Sequence, residues 1–330
     1  MSNIIIAEGA VLGQDQCVGG TTPTPLSDGK GPRAGRWVGG LVGLRKRTVV
    51  LAVAPAVLLV AAFLGAPIVE GVRFSFSSWG GTGDPVWVGL SNYRATFTGS
   101  FGSTLALTAR YSLLSMAGII VIALVLAEAV RSGVRGSSFY RVVWFLPGIA
   151  PLAAVSVFWS MAFQPLGGAI DAVLGDLGLG ANYAWLAGPA TAIYPIIAVT
   201  IWASVGFAFL LLLGAMQHVP VSLYEAAKID GASAPRMFVS ITVPLIRPVL
   251  TVVALLELIW TFNGFTVIWA MSMGGPGYAT STLPVLVYRE AFQNLDFGLA
   301  SSMAVVGGVI LMIVGTVSLR LGQSRQEVAR

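Results

Sequence analysis

Glu257, Trp260, Thr261 and Gly264 are where this sequence could concentrate chemistry. They recur at i, i+3, i+4 and i+7, the spacing that puts side chains on one face of an α-helix. A carboxylate accepts hydrogen bonds from hydroxyls and an indole covers an apolar C–H face, so the set suits a hydroxylated ligand. Glu257 follows Pro248 by nine residues in an apolar run, about 13 Å along a helix. That depth is near the middle of a hydrocarbon layer about 30 Å thick, beyond the reach of a glutamate to the interface. An ionisable group at such a centre costs roughly 2.5–3.5 kcal/mol on insertion scales, so it normally faces a cavity or a partner. Two readings stay open here: a ligand-lining face, or a helix–helix contact in which Glu257 pairs with a partner subunit. Glu70 and Glu128 lie near the ends of apolar runs and read as structural.

The second concentration is EAAKIDGASAPRMFVSITVPLIRP, Glu225 to Pro248, a polar stretch between oily ones. Its local chemistry predicts helix, turn, helix. Pro220 suits a first helical turn, where its missing N–H costs nothing. Ser222 to Asp230 favour a helix, and Gly231 can end it in the left-handed conformation. Ser233 can cap a second helix with Pro235 in its first turn. Met237, Phe238, Ile241 and Leu245 then form one apolar face. Pro244 and Pro248 are expected to break the helix before the next apolar run. Ala226 and Ala227 leave a smooth surface for close approach, and Glu225 offers a charge. The stretch reads either as a docking loop or as an ordinary solvated amphipathic loop.

The elements that must hold these groups are set by composition. The 330 residues are 56% hydrophobic and 10% charged, against about 25% charged in ordinary soluble domains. Six apolar segments, 48–69, 108–130, 142–163, 190–213, 249–271 and 300–319, each approach the ~20 residues a helix needs to span a membrane. The fold class expected is an all-α membrane protein of six transmembrane helices. Residues 1–47 read as a disordered tail without a signal-peptide pattern, 48–321 as the transmembrane domain with a polar loop near 216–248, and 322–330 as a second tail. The Gly-rich stretch 167–188 reads as external, with short interfacial helices. With the N-terminus inside, only Arg73, Arg94, Arg110 and Arg289 of the 19 Lys and Arg residues fall outside. That bias puts both termini and the Glu225 loop in the cytoplasm. It also accounts for the +5 charge without nucleic acid.

The pattern Glu225-Ala226-Ala227, Asp230-Gly231-Ala232, Phe238, Ile241, Pro244 and Pro248 resembles the EAA loop of ATP-binding-cassette importer permeases. More narrowly, it resembles their carbohydrate-uptake group, which includes the maltose and glycerol-3-phosphate permeases. The stretch from Trp87 to Tyr93, Phe145-Leu146-Pro147, the turn from Gly274 to Gly277 with Thr280, Tyr288 and Ala291-Phe292 extend the resemblance over about 45–321. It implies a type I importer permease fold and a location in the inner (plasma) membrane. The implied partners are a second homologous permease, two ATP-binding subunits and an extracytoplasmic substrate-binding protein, besides the lipid bilayer. Glu225, Ala226, Ala227, Asp230, Gly231 and Ala232 are then the coupling loop, with Glu225 meeting a basic residue of the ATPase. ATP and Mg belong to the partner ATPase, and this chain binds no cofactor. The resemblance also favours a sugar path lined by Glu257, Trp260, Thr261 and Gly264, with Ser204 and Phe207 on the fourth span. Trp202 reads as packing. The Gly274–Gly277 loop reads as a plain turn or, from the resemblance, as external and close to the delivering protein.

The remaining residues agree with a non-catalytic subunit. A G-x-x-x-x-G-K-[ST] phosphate loop is missing, and none of Lys30, Lys46 and Lys228 ends such a pattern. One cysteine, Cys17, and one histidine, His218, leave no basis for a disulfide framework or a thiolate or histidine metal site. His218 reads as a surface or packing residue. The function expected is a permease subunit importing a sugar or sugar derivative. The alternative is a carrier driven by an ion gradient with Glu257 as its ion site; no internal repeat supports it. Orientation is directly testable. With Cys17 replaced, an impermeant thiol reagent applied outside should label a cysteine at Gly277 and spare one at Ala232; the reverse pattern refutes the assignment.

Overall fold

In hydrocarbon no water satisfies backbone N–H and C=O groups, so apolar runs of this length close their hydrogen bonds within helices. The computed structural model describes residues 46–133, 136–165, 167–179 and 183–327. Most of the expected N-terminal tail, Cys17 included, and residues 328–330 of the expected C-terminal tail lie outside the described residues. The chain divides into two units, Met1–Val60 and Ala61–Arg330. In the first, the described residues form α1, Lys46–Val60, with Pro55 inside it.

The second unit opens with a π-helical turn, Ala61–Gly65, and α2, Ala66–Ser75. A two-residue hairpin follows, β1 Ser77–Ser78 antiparallel to β2 Val86–Trp87, with Ser77 opposite Trp87. Then come α3 Ser91–Thr98, α4 Phe101–Arg131, α5 Ser137–Ile149, α6 Leu152–Ala162 and α7 Ala169–Asp176. The rest of the described chain is α8 Ile193–Gln217, α9 Val221–Ile229, α10 Ala234–Met237, α11 Val243–Phe262, α12 Thr266–Ser272, α13 Leu283–Tyr288 and α14 Phe297–Glu327. Five helical stretches are long and apolar enough to cross a membrane: Val50–Ser75, Phe101–Arg131, Ile193–Gln217, Ala234–Phe262 and Phe297–Arg320. They match five of the six expected segments.

The sixth match, the expected third span, is not one helix. α5 and α6 meet at 93°. The cause is Pro151, which forces the residue before it out of the α region; Ala150 is extended at φ −66°, ψ 145°. The expected fifth span also differs. Its helix ends at Phe262, and α12 starts afresh at Thr266. The Asn263 amide donates to the Ile259 carbonyl at 2.9 Å, a side-chain bond that competes with the helical ladder. Pro244 and Pro248, by contrast, do not break the chain's helix. It runs from Ala234 to Phe262 through a π-helical turn at Phe238–Thr242. The wider turn sits where Pro244 lacks an N–H and its ring would crowd the carbonyl four residues back.

α8 lies at the centre. Val205, Phe209, Leu212 and Met216 on it pack with Ile119, Ala123 and Ala127 of α4 and with Ile246 and Val253 of α11. A second cluster joins Ile196 and Val199 to Tyr111, Ile268 and Val285. Buried hydroxyls also tie the helices together. Thr108 Oγ1 accepts from the Leu283 N–H at 2.8 Å, Tyr111 Oη lies 2.8 Å from Thr200 Oγ1, and Thr96 Oγ1 2.7 Å from Ser302 Oγ. Outward faces carry exposed Val121, Val125, Phe158 and Met312, which a lipid environment tolerates. The Trp87–Tyr93 stretch is a structural clasp: Asn92 donates to the carbonyls of Ser75 and Ser77, and Tyr93 Oη lies 2.7 Å from Ser75 Oγ.

α8 approaches α5 closely at Gly206, where a Cβ would stand 2.2 Å from the Trp144 carbonyl oxygen and 2.8 Å from Phe145 Cα. Both obstacles are backbone, so neither can rotate away. Gly206→Ala should destabilise the detergent-solubilised protein by about 1–3 kcal/mol, the cost of overpacking a dense contact. Gly214→Ala, on the same helix with nothing within 4 Å, should be neutral or slightly stabilising. Equal melting temperatures for the two variants would contradict the contact.

Candidate functional site

The residues singled out for a ligand line two adjoining cavities between α6, α8 and α11. One, of about 280 Å³, is bordered by Ser204, Phe207, Glu257 and Trp260, with Pro147, Gly148 and Ala150 at the kink. The other, of about 260 Å³, is bordered by Ser204, Trp260, Thr261 and Gly264, with Tyr111, Thr200, Asn263 and Thr266. Leu152, Ala203, Ser204 and Trp260 border both. All six candidates therefore converge, although they come from two spans far apart in sequence.

They do not converge as one helical face. Gly264 lies beyond the end of α11, outside the helix. It packs where a Cβ would meet the Thr261 carbonyl oxygen at 2.9 Å and Tyr111 Oη at 3.3 Å. The other three split between two directions. Glu257, 1% exposed, and the buried Thr261 point inward, whereas Trp260 is 50% exposed. Phe207 meets Trp260 edge-on at 5.1 Å, making a two-ring wall beside the acid. Trp202 packs edge-on to Trp159 at 5.5 Å, as expected of a packing residue.

Glu257 stands out electrostatically. Both carboxylate oxygens are buried and have no hydrogen-bond partner among the described residues. The described ion pairs are Glu70–Arg73 and Glu128–Arg131, near helix ends as read from sequence. Among the described residues no Lys, Arg or His borders either cavity. A buried carboxylate stripped of partners costs several kcal/mol. Thr261 does not relieve it, since its hydroxyl donates to the Glu257 backbone carbonyl at 2.7 Å. Tyr111 and Thr200 also border the site and were not singled out from sequence; hydroxyls inside spans give no cost signal comparable to a charge. A larger groove of about 410 Å³, bordered by Phe262, Leu283, Val287, Phe292 and Leu311, shares Asn263 and Phe265 with the second cavity and has no charged side chain among the described residues that border it.

The polar loop forms the expected helix–turn–helix, but only its first arm, α9, is a short helix; the second, α10, is the first turn of the continuous helix Ala234–Phe262. Pro220 stands just before α9 as its N-cap residue. Gly231 has φ +74°. Its N–H bonds the Lys228 carbonyl at 3.0 Å and the Ala232 N–H bonds the Ala227 carbonyl at 2.9 Å. This paired closure of a helix end depends on a left-handed residue, which glycine adopts without strain. Ser233 occupies the N-cap position of α10, but its side chain makes no capping bond. Leu245 is not on the buried face either. It is 50% exposed, and Ile246 at 2% takes its place. The π-helical turn at Phe238–Thr242 adds a residue to one turn and shifts the phase by one position. Glu225, Ala226 and Asp230 are exposed, Ala227 and Ala232 half-buried. Ile229 projects at 87% exposure, so the loop presents an apolar knob beside charges. His218 is exposed, with Nδ1 2.8 Å from the Gly214 carbonyl oxygen.

Comparison with known proteins places these features in context. Residues 119–325 match the family described as binding-protein-dependent transport system inner membrane component. The chain is 33% identical over 278 residues to the sn-glycerol-3-phosphate transport system permease protein UgpA of Salmonella typhimurium (strain LT2), covering 83% of this chain and 94% of that one. It is 30% identical over 274 residues to the multiple sugar-binding transport system permease protein MsmF of Streptococcus mutans serotype c, covering 82% and 93%. The crystal structure of a bacterial ABC transporter that imports the acidic polysaccharide alginate superposes with a TM-score of 0.72 at 21% identity, covering 84% of this chain and 96% of that one. That likeness bears on the fold, which is that of a type I importer permease.

Proposed function

This chain belongs to the family of binding-protein-dependent transport system inner membrane components, and from that premise we propose that it forms half of the translocation path of an ATP-driven importer of a sugar or sugar derivative. As an ABC permease subunit it is non-catalytic. The observation that carries the cargo reading is the unpartnered Glu257 carboxylate beside the Phe207–Trp260 rings. Hydroxyl donors of a passing sugar would satisfy the carboxylate, and its C–H face would lie against the rings. Ser204 borders the same cavity, and Thr261 and Gly264 border the adjoining one. With one acid and no basic group bordering the cavities among the described residues, this half of the path favours a neutral or cationic cargo over an anion. Relatives named for glycerol phosphate and for multiple sugars are both compatible with the fold, so the cargo class rests on the site.

A second reading is supported by the same orphaned carboxylate: Glu257 pairs with a group on the second permease. One measurement separates the two. If Glu257 meets cargo, Glu257→Ala should lower uptake per assembled complex about ten- to a hundredfold, the worth of a hydrogen bond to a charged group, with ATPase stimulation retained. Glu257→Gln, which keeps an acceptor oxygen, should lose less. Normal uptake per complex with reduced yield would assign Glu257 to the subunit contact instead. A ligand-binding screen on the partner binding protein would identify the cargo.

The loop from Glu225 to Ala232 is proposed to dock on the cytoplasmic ATPase, which binds ATP and Mg. A second permease and a second ATP-binding subunit complete the assembly, and an extracytoplasmic binding protein delivers cargo beside the Gly274–Gly277 loop. Both termini are proposed to face the cytoplasm. The exposed Glu225 and Ile229 on a short, glycine-closed helix support docking. Glu225→Lys should leave the complex inserted in the membrane but detach the ATPase or abolish stimulation of its hydrolysis by loaded binding protein. Wild-type stimulation and uptake in that variant would exclude Glu225 from the contact.

A further inference from the structure

The end of α4 grips the loop through a chain of contacts that the loop's own motif does not contain. Arg131 Nε and Nη2 donate to the two carboxylate oxygens of Glu128 at 2.8 and 2.5 Å. So held, the guanidinium carbon stands 4.2 Å from the centre of the Tyr224 ring. Tyr224 is buried, and its hydroxyl lies 2.8 Å from Oγ1 of the buried Thr242. Tyr224 belongs to α9 and Thr242 closes the π-helical turn before α11. One arginine therefore reaches both helical arms of the loop through a single tyrosine. Ala127 and Val130 of α4 pack in the same cluster as Tyr224, with Met237 and Phe238 against it.

We propose that Arg131 is a positioning residue that locks the α9–α10 pair to α4, so that the loop and α4 move as one body when the ATPase moves. The proposal rests on the docking role assigned to the loop above. A planar guanidinium fixed by a two-point carboxylate contact has little freedom to slide on the ring beneath it. Around the lock a cavity of about 400 Å³ remains, bordered by Glu128, Arg131, Val221, Tyr224 and Lys228. The loop is thus attached at a few defined points, and removing one would leave space into which it can tilt. A contact needed only for folding would lower yield without changing how the loop follows nucleotide.

The test uses the complex purified through a tag on this chain, in lipid nanodiscs, with Cys17 replaced. Spin labels at Ala129→Cys and Ser222→Cys, the latter exposed on α9 and outside the docking segment, report the distance within the body. Labels at Leu177→Cys and Ser222→Cys report the loop against the distant end of α7. Distances are measured without nucleotide and with trapped ATP and Mg. The Leu177–Ser222 distance should shift with nucleotide while the Ala129–Ser222 distance stays fixed and narrow. Arg131→Gln should broaden the Ala129–Ser222 distribution and make it nucleotide-dependent. It should also lower the ratio of binding-protein-stimulated to basal ATPase activity about tenfold, in line with losing a partly desolvated cation–π contact. Arg131→Lys should not restore either, because an ammonium lacks the planar two-point fork. Where Arg131→Gln assembles poorly, Tyr224→Phe serves: it keeps the ring and loses only the bond to Thr242, and should broaden the distribution less. A wild-type Ala129–Ser222 distance that shifts with nucleotide, or a narrow one in Arg131→Gln or Tyr224→Phe, overturns the assignment alone. A Leu177–Ser222 distance indifferent to nucleotide overturns the docking role and the assignment together.

Discussion

Hydrocarbon supplies no hydrogen bonds, and most of this architecture follows from that constraint. Backbone groups are satisfied inside helices, and helix interruptions occur where side chains or neighbouring helices can complete the bonding. The Asn263 amide takes a carbonyl at the end of α11. The hydroxyls of Thr108, Tyr111 and Thr96 bond across helices. Against this background a few buried polar atoms stay unpaired among the described residues, Ser115 Oγ and Thr282 Oγ1 for instance, and with them both oxygens of an acid, Glu257. A buried carboxyl relieves the cost of its burial by taking up a proton or by meeting a hydrogen-bond donor, and the cargo and subunit-contact readings proposed above each supply a donor.

The same constraint explains what the sequence made legible. Apolar length alone located the six span regions, since each must cover the same thickness. The interruptions were less legible because they depend on single local conflicts. Pro151 and Pro244 are the same residue type in similar apolar surroundings, yet the first goes with a bend of 93° and the second lies in a continuous helix. The difference is the π-helical turn before Pro244, which no periodicity in the sequence announces. That turn also moves the buried face from Leu245 to Ile246. A period count carried through it is bound to fail by one residue.

Of the site, the residues with a local cost were readable and those defined by long-range contact were not. Glu257 declared itself by charge and depth, and Gly231 by its place after a helix. Ser204 and Phe207 came from resemblance, and the structure sets them beside Glu257 and Trp260. Tyr111 and Thr200 were silent because a hydroxyl in a span is ordinary. Arg131 was silent too: it looks like any basic residue at a helix end, and its contact with Tyr224 exists only once α4 and the loop are folded together.

The loop and the acid also share one element. The helix from Ala234 to Phe262 is continuous, and Glu257 lies about 35 Å along it from Ala234 at the α-helical rise. A continuous helix transmits displacement along its axis, whereas the breaks at Ala150 and Asn263 can absorb it. Those breaks sit beside the cavities, one at the α5–α6 kink and one just past Trp260. On the docking role proposed above, a push at the loop would travel along this helix toward Glu257, and the two breaks are where the chain beside the cavities leaves the helix. The π-helical turn accommodates Pro244 within the helix, so no helix end intervenes between the loop and the acid.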